Sequence, residues 1–288
     1  VVDSSCCLPA EVVQQWGITV IPHELIIDGK PFRDGIDIYP HEFYQLLKGN
    51  QATLSTAAPR PQRFLEAFTE AGQRAPNVLC LTLSASFSAT YQFACAAVRL
   101  TNGASSPARV EVIDSRAAAG ASGLIALAAA QRAAAGYTLE QVIHCVNELI
   151  PKVNLIAFLD TLYYLGRSGR VGKVRAWTGS MLGIKPVTEL KLGQARMLAK
   201  PRSRARATEQ LVEIMRQRVG QSPVWVNVME ADAPEDALAL SRRIQVQFNC
   251  RELFVSQFTP VMGAHTGPGL LGVAFYKEGG EGPPGPVA

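Results

Sequence analysis

The sequence predicts an α/β protein of two domains: a three-layer N-terminal domain built on a parallel sheet over residues 1–155, and a smaller α/β (α+β) domain over 156–278, with 279–288 as a disordered tail. Two observations carry this. Through the first half, short apolar runs ending in hydroxyl or acidic residues alternate with segments of helical period, the pattern of parallel strands covered on both faces. After about residue 155 a basic, glycine-punctuated stretch and a hairpin interrupt the alternation, so a second unit begins there. A chain of 288 residues, at about 100–200 per domain, also leaves room for two.

In order, Val1-Val2 reads as a strand running into Asp3-Ser4-Ser5, and a short helix starts near Pro9 and stops at Gly17. Ile18 to Ile27 reads as one β segment turned at Asp28-Gly29, and Pro40 to Leu47 as a short helix. Phe64, Leu65 and Phe68 set a helical period over Pro61 to Gln73. Strand Val78 to Leu83 leads through a small polar loop to a helix over Thr90 to Leu100, with Ser88 in its N-terminal turn. Strand Val110 to Ile113 precedes an Ala-rich helix, Ala117 to Ala135, and Thr138 with Gln141 forms a capping box for the next one. Strand Leu155 to Leu159 ends in Asp160-Thr161. Beyond it lie the basic segment Leu165 to Gly172 and a hairpin from Lys185 to Leu198 turned near Gly193. Helices Ala205 to Val219 and Pro234 to Phe248 then alternate with strands Val224 to Met229, Leu253 to Phe258 and Leu271 to Phe275.

Composition removes several function classes. Hydrophobic residues make up 48% and charged residues 18%, yet no apolar run reaches the roughly 18 residues of a membrane span. With no basic leader ahead of the first strand, a cytoplasmic location is the default expectation. The six cysteines make no C-x-x-C pair and read mostly as buried thiols, so no metal site is expected. Net charge is a mild +4, with basic residues gathered between Arg167 and Arg218. No helix-turn-helix, zinc-finger or ribonucleoprotein pattern accompanies them, so nucleic acid is not an expected partner; an acidic partner or a phosphate suits the cluster better.

Candidate chemistry gathers where strands end. In an open parallel sheet ligands lie at the carboxyl ends of the strands, and those ends carry Ser4, Ser5, Ser84, Ser86, Ser88 and Ser115. Taken singly, such residues cap helices in every α/β protein; together they form a polar rim over an apolar body. The Ser84–Ser88 loop opens a helix, so its N–H groups and the helix dipole favour a carboxylate or a phosphate. It is not a P-loop, since neither G-x-x-x-x-G-K-[ST] nor G-x-G-x-x-G occurs. Of the four histidines, His265 stands out within Gly263 to Gly269, where glycines let backbone approach a ligand, whereas His144 reads as structural. Ser88, Asp114 and His265 fall in the chain order of an α/β-hydrolase triad, but no G-x-S-x-G elbow surrounds the serine. Arg167, Arg170, Arg202 and Arg204 form the densest basic stretch, suited to clamping a phosphoryl group or merely to solvating a face.

In order along nearly the whole chain, these residues resemble the DegV family. The resemblance is carried by Asp3-Ser4-Ser5, Asp34-Gly35 with Glu42-Phe43-Tyr44, and Leu54 to Pro59. It continues through Leu83 to Gln92, Ile113-Asp114-Ser115, Leu159 to Leu162 with Gly169-Arg170, Lys185-Pro186, Arg202, and His265-Thr266-Gly267-Pro268-Gly269. Two positions depart from the family pattern: Ala89 follows the motif serine where glycine is usual, and Ala57-Ala58 stands in place of Ser-Gln. The resemblance implies a two-domain, DegV-like fold with a fatty acid in an apolar tunnel between the domains. Thr56, with Ser55 as the one-residue alternative, would then hold the carboxylate together with Ser88, Ala89 and His265. Arg170, Arg202 and His265 would support phosphoryl transfer or contact a partner. It further implies a non-catalytic, lipid-binding subunit of a bacterial fatty-acid kinase, whose separate ATP-binding subunit makes acyl phosphate. No cofactor is expected; the ligand is an acid of roughly C16–C18, whose methylenes at about 0.8 kcal/mol each sum to about 12 kcal/mol before association costs. Partners are thus the fatty acid and the kinase subunit, with transient membrane contact but no stable insertion. The alternative is a small-molecule (sugar or triose) kinase or phosphotransfer domain. A serine hydrolase and a DNA-binding regulator are further rivals.

Overall fold

The computed structural model describes residues 1–49, 53–101, 108–169 and 183–277. The elements of the first half are β1 (Val2–Asp3), a 3-10 turn (Ser4–Cys6), α1 (Ala10–Gln15), β2 (Val20–Ile21), β3 (Glu24–Ile27), β4 (Lys30–Arg33), α2 (Pro40–Gly49), β5 (Leu54–Ala57), α3 (Pro61–Gly72), β6 (Asn77–Thr82), α4 (Thr90–Thr101), β7 (Arg109–Asp114), α5 (Ala119–Ala134) and α6 (Leu139–Leu149). Then follow β8 (Asn154–Phe158), α7 (Tyr163–Ser168), β9 (Val187–Lys191), β10 (Gln194–Ala199), α8 (Arg204–Val219), β11 (Val224–Glu230), α9 (Pro234–Gln247), β12 (Cys250–Gln257), α10 (Pro260–Thr266) and β13 (Leu271–Lys277).

Strands β2-β1-β6-β7 form a parallel sheet, the expected centre of the first unit. One face packs on α3 and α4 through Phe64, Phe68, Val78, Cys80, Ala94 and Ala97. Its other face is covered by α5 and α6, where Leu81, Leu124, Val142 and Val146 share one core. A six-stranded sheet, β10-β9-β8-β13-β11-β12, is antiparallel except for the β11/β12 pair. Helices α8 and α9 cover its outer face through Leu211, Met215, Leu240 and Ile244. The third sheet, β4-β3-β5, is antiparallel.

Helix α5 joins the two larger sheets. Its first nine residues are all buried, and Ala129 as well, as expected of a helix apolar on every side. Small residues let both sheets close on it: a Cβ at Gly120 would lie 2.5 Å from Asn227 Nδ2, and one at Gly123 would lie 2.7 Å from the Cys6 carbonyl. The layers therefore run α3/α4, parallel sheet, α5/α6, six-stranded sheet, α8/α9.

Two local expectations are corrected. Ile18 to Ile27 is not one β segment: it splits around Pro22-His23, with β2 joining the parallel sheet and β3 opening the antiparallel one. Proline offers no N–H to a ladder, which is why pairing changes there. The Gly263–Gly269 stretch is not purely a glycine turn, because α10 begins with Pro260 at its first position and carries His265 in its last turn. The basic segment, to which the sequence assigned no state, begins inside a short helix, Tyr163–Ser168. The expected tail, 279–288, and the part of the basic segment beyond Gly169 lie outside the described residues. Of the cysteines, Cys6, Cys7 and Cys80 are buried, while Cys95, Cys145 and Cys250 are half-buried. No helix among the described residues is long and apolar enough to cross a membrane.

Candidate functional site

The inner face of the six-stranded sheet is apolar because its strands alternate. On β8 and β9, Ile156, Phe158 and Val187 point to the α8/α9 core, while Leu155, Ala157, Thr188 and Leu190 point the other way. Register aligns Leu155 with Leu190 and Leu190 with Ala195, so these three form one row across the sheet. Together with Leu83, Phe87, Phe258, Val261 and Met262 they wall a cavity of about 1050 Å³ of empty space, mouth included. The β9–β10 turn docks on the first half, with Gly193 N–H donating to the Arg116 carbonyl at 2.7 Å. Gly193 has φ +73°, and a Cβ there would lie 2.6 Å from Ser86 Oγ, so this close approach requires glycine.

Polar side chains enter the cavity from distant parts of the chain. Thr56 lies on β5 opposite Leu25, and His265 in the last turn of α10; Thr56 Oγ1 and His265 Nε2 are 3.0 Å apart. Ser88 lines the same cavity just ahead of α4. Its Oγ accepts from the Thr90 N–H at 3.3 Å and lies 2.7 Å from Thr90 Oγ1. Of the other expected residues, Ala89 is exposed and does not line the cavity, and Ser55 is exposed beside Thr56. Arg202 is exposed and away from the cavity, and Arg170 lies outside the described residues. Arg204 is committed to structure: it donates to Asp160 Oδ1 and the Gly269 carbonyl, both at 2.7 Å, and to Asp236 at 2.9 Å, tying the loop after α10 to the end of β8.

Asp114 does not join Ser88 and His265 in a triad. Its Oδ1 accepts from the Arg116 N–H at 2.8 Å and the Ala85 N–H at 3.2 Å, and so shapes the loop between β6 and α4.

Sequence reasoning overlooked His23. It is 3% exposed, lines the cavity, and lies 3.1 Å through Nε2 from Thr90 Oγ1. On its other side Nδ1 is 3.4 Å from Ser4 Oγ and 3.7 Å from Asp3 Oδ1. Ser4 in turn donates to Asp34 Oδ2 at 2.6 Å, and Asp34 Oδ1 accepts from the Val261 N–H at 3.2 Å. Burial pushes the Asp34 carboxyl up, against the lowering effect of those bonds. The detectable signal was the β3–β4 hairpin: Asp34 N–H donates to the His23 carbonyl at 2.9 Å, extending the ladder so that the two face each other.

A cavity apolar along its length and entered by hydroxyls and imidazoles has the chemistry to hold an amphipathic molecule. The chain belongs to the DegV family. Its residues 1–278 match the profile described as "Uncharacterised protein, DegV family". It is 34% identical over 280 residues to a DegV domain-containing protein of Streptomyces coelicolor, covering 96% of this chain and 98% of that one. Identity to a DegV domain-containing protein of Mycobacterium tuberculosis is 31% over 290 residues, 99% and 98% of the two chains. Among solved structures, a Thermus thermophilus DegV family protein described for its fatty acid binding superposes with a TM-score of 0.88 at 29% identity, covering 96% and 98% of the chains. DegV of Bacillus subtilis, described as a fatty acid binding protein, gives a TM-score of 0.86 at 25% identity, over 96% and 98%.

Proposed function

We propose that this chain binds a long-chain fatty acid in the cavity and presents its carboxylate to a separate kinase subunit that forms acyl phosphate. The observation that carries the reading is an apolar cavity into which Thr56, Ser88 and His265 all project, two of them in direct contact. The fatty acid binding described for the similar Thermus and Bacillus proteins supports it. In this reading the tail lies against the Leu155–Leu190–Ala195 row and contributes most of the affinity, at about 0.8 kcal/mol per methylene. Hydroxyls and one imidazole hold the carboxylate, leaving an oxygen free to attack the terminal phosphorus of ATP on the partner, with the bond to the bridging oxygen breaking and ADP leaving. Arg170 and Arg202 serve that partner encounter, and the chain itself supplies no ATP chemistry. The test is organic extraction of the purified protein with mass-spectrometric identification of what it carries, followed by titration of the emptied protein with palmitate. A stoichiometric fatty acid in the extract and saturable rebinding are expected; a protein that carries none and takes none would refute the reading.

A further inference from the structure

Behind Ser88 runs a chain of polar groups that the apolar cavity does not need. Thr90 is 0% exposed, Asp3 2%, His23 3% and Asp34 3%, and burying so many polar groups is costly unless each is bonded. We propose that His23 is a positioning residue of the head-group site: acting through Thr90, it turns the Ser88 hydroxyl proton into the cavity and so fits the site to a ligand head that only accepts hydrogen bonds. This rests on the fatty-acid reading of the same cavity.

A hydroxyl has one proton to donate and lone pairs with which to accept, whereas a carboxylate only accepts. When Ser88 donates to a carboxylate, its 2.7 Å contact with Thr90 Oγ1 must run from threonine to serine. Thr90 has then committed its proton, so the 3.1 Å contact with His23 Nε2 must run from imidazole to threonine. At the far side of the ring, Nδ1 faces two acceptors. Ser4 Oγ, at 3.4 Å, has already given its proton to Asp34 Oδ2, and Asp3 Oδ1 lies at 3.7 Å. With an anion at Ser88 the chain thus has one consistent polarity, in which His23 donates from Nε2. Two buried carboxylates, Asp3 and Asp34, lie behind the ring, Asp34 by way of Ser4. They are fixed in place, Asp3 by the Ser5 and Leu83 N–H groups at 3.1 and 2.6 Å and Asp34 by Val261. A fatty alcohol both donates and accepts, so either polarity of Ser88 suits it.

That difference supplies the test. Palmitate and hexadecanol are titrated into the emptied full chain and its Thr90→Val and Thr90→Ser variants by displacement of a fluorescent fatty acid, with a melting curve for each protein. Thr90→Val should weaken palmitate about tenfold, as expected for one charge-assisted hydrogen bond, and leave hexadecanol within about twofold. Thr90→Ser, which keeps the hydroxyl, should restore palmitate. If Thr90→Val fails to fold, His23→Asn is read by the same acid-to-alcohol ratio. Equal loss of both ligands, or of neither, in a parent that binds palmitate overturns the relay alone. A parent that takes neither ligand overturns the fatty-acid reading and the relay with it.

Discussion

Replacing Ala195 by phenylalanine should close part of the cavity without touching its polar groups. Ala195 lines the cavity next to Leu190 on the β9–β10 hairpin, half-buried, and the pleat turns its neighbour Gln194 out to solvent. The change adds about six carbon atoms. If each displaces one methylene of a bound tail, the loss is at most about 5 kcal/mol, and a tail that bends past the ring recovers part of it. At about 1.4 kcal/mol per decade, the palmitate Kd should rise between about tenfold and about a thousandfold. Calorimetric titration of the emptied protein measures this, with Gln194→Phe as the control whose added ring points away. An Ala195→Phe protein that keeps its melting temperature and binds palmitate like the parent would refute the placement of the tail, as would an equal loss in Gln194→Phe.

Other perturbations address the site and its frame. Thr56→Val removes the hydroxyl that faces His265 and should weaken palmitate about tenfold while shifting the melting temperature little, read by the same titration. Glu189 is 1% exposed between Arg196 and Arg218. Burial pushes its carboxyl up, but the bonds from the two arginines outweigh that and hold it below its ordinary 4.5. A carboxyl depressed in the folded state contributes stability above its unfolded value, and that stability is lost as pH falls through the folded one. Glu189→Gln should therefore cost about 2 kcal/mol near neutral pH, less than a fully buried pair because Arg196 is 66% exposed, and should flatten the fall in melting temperature below about pH 4.5. Burial pushes the thiols of Cys6 and Cys80 up to about 12, so intact-mass analysis after iodoacetamide treatment at about pH 8 should find modification at the half-buried Cys95 and Cys145 and not at these two.

Much of the frame was legible because it is written locally. Strand–helix alternation, the Thr138–Gln141 capping box and the Gly193 hairpin each depend on neighbours within a few residues, and each is found in place. What was not legible depends on contacts far apart in sequence. Thr56 and His265 meet across 209 positions, and only the family pattern had linked them. His23 lies beside Pro22 at a break between two strands; the hairpin turned at Asp28-Gly29 sets it opposite Asp34, but nothing near it announces the Thr90 it meets 67 positions on. That helix α5 is enclosed by two sheets follows from packing; its alanines alone announce only a helix. The start of α10 could have been read from Thr259-Pro260, but the glycines that follow it masked the helical signal.

The alternation on β9 also fixes how that hairpin can sit. Glu189 is turned outward to its arginines, and its neighbour Leu190 is turned into the cavity. A slip of one residue would drive a carboxylate into an oily chamber and set a leucine against two guanidinium groups, so no half-correct alignment is tolerable. The ion pair works as an index mark for the chamber behind it, and a single insertion within β9 ahead of Glu189 would spoil both sides at once.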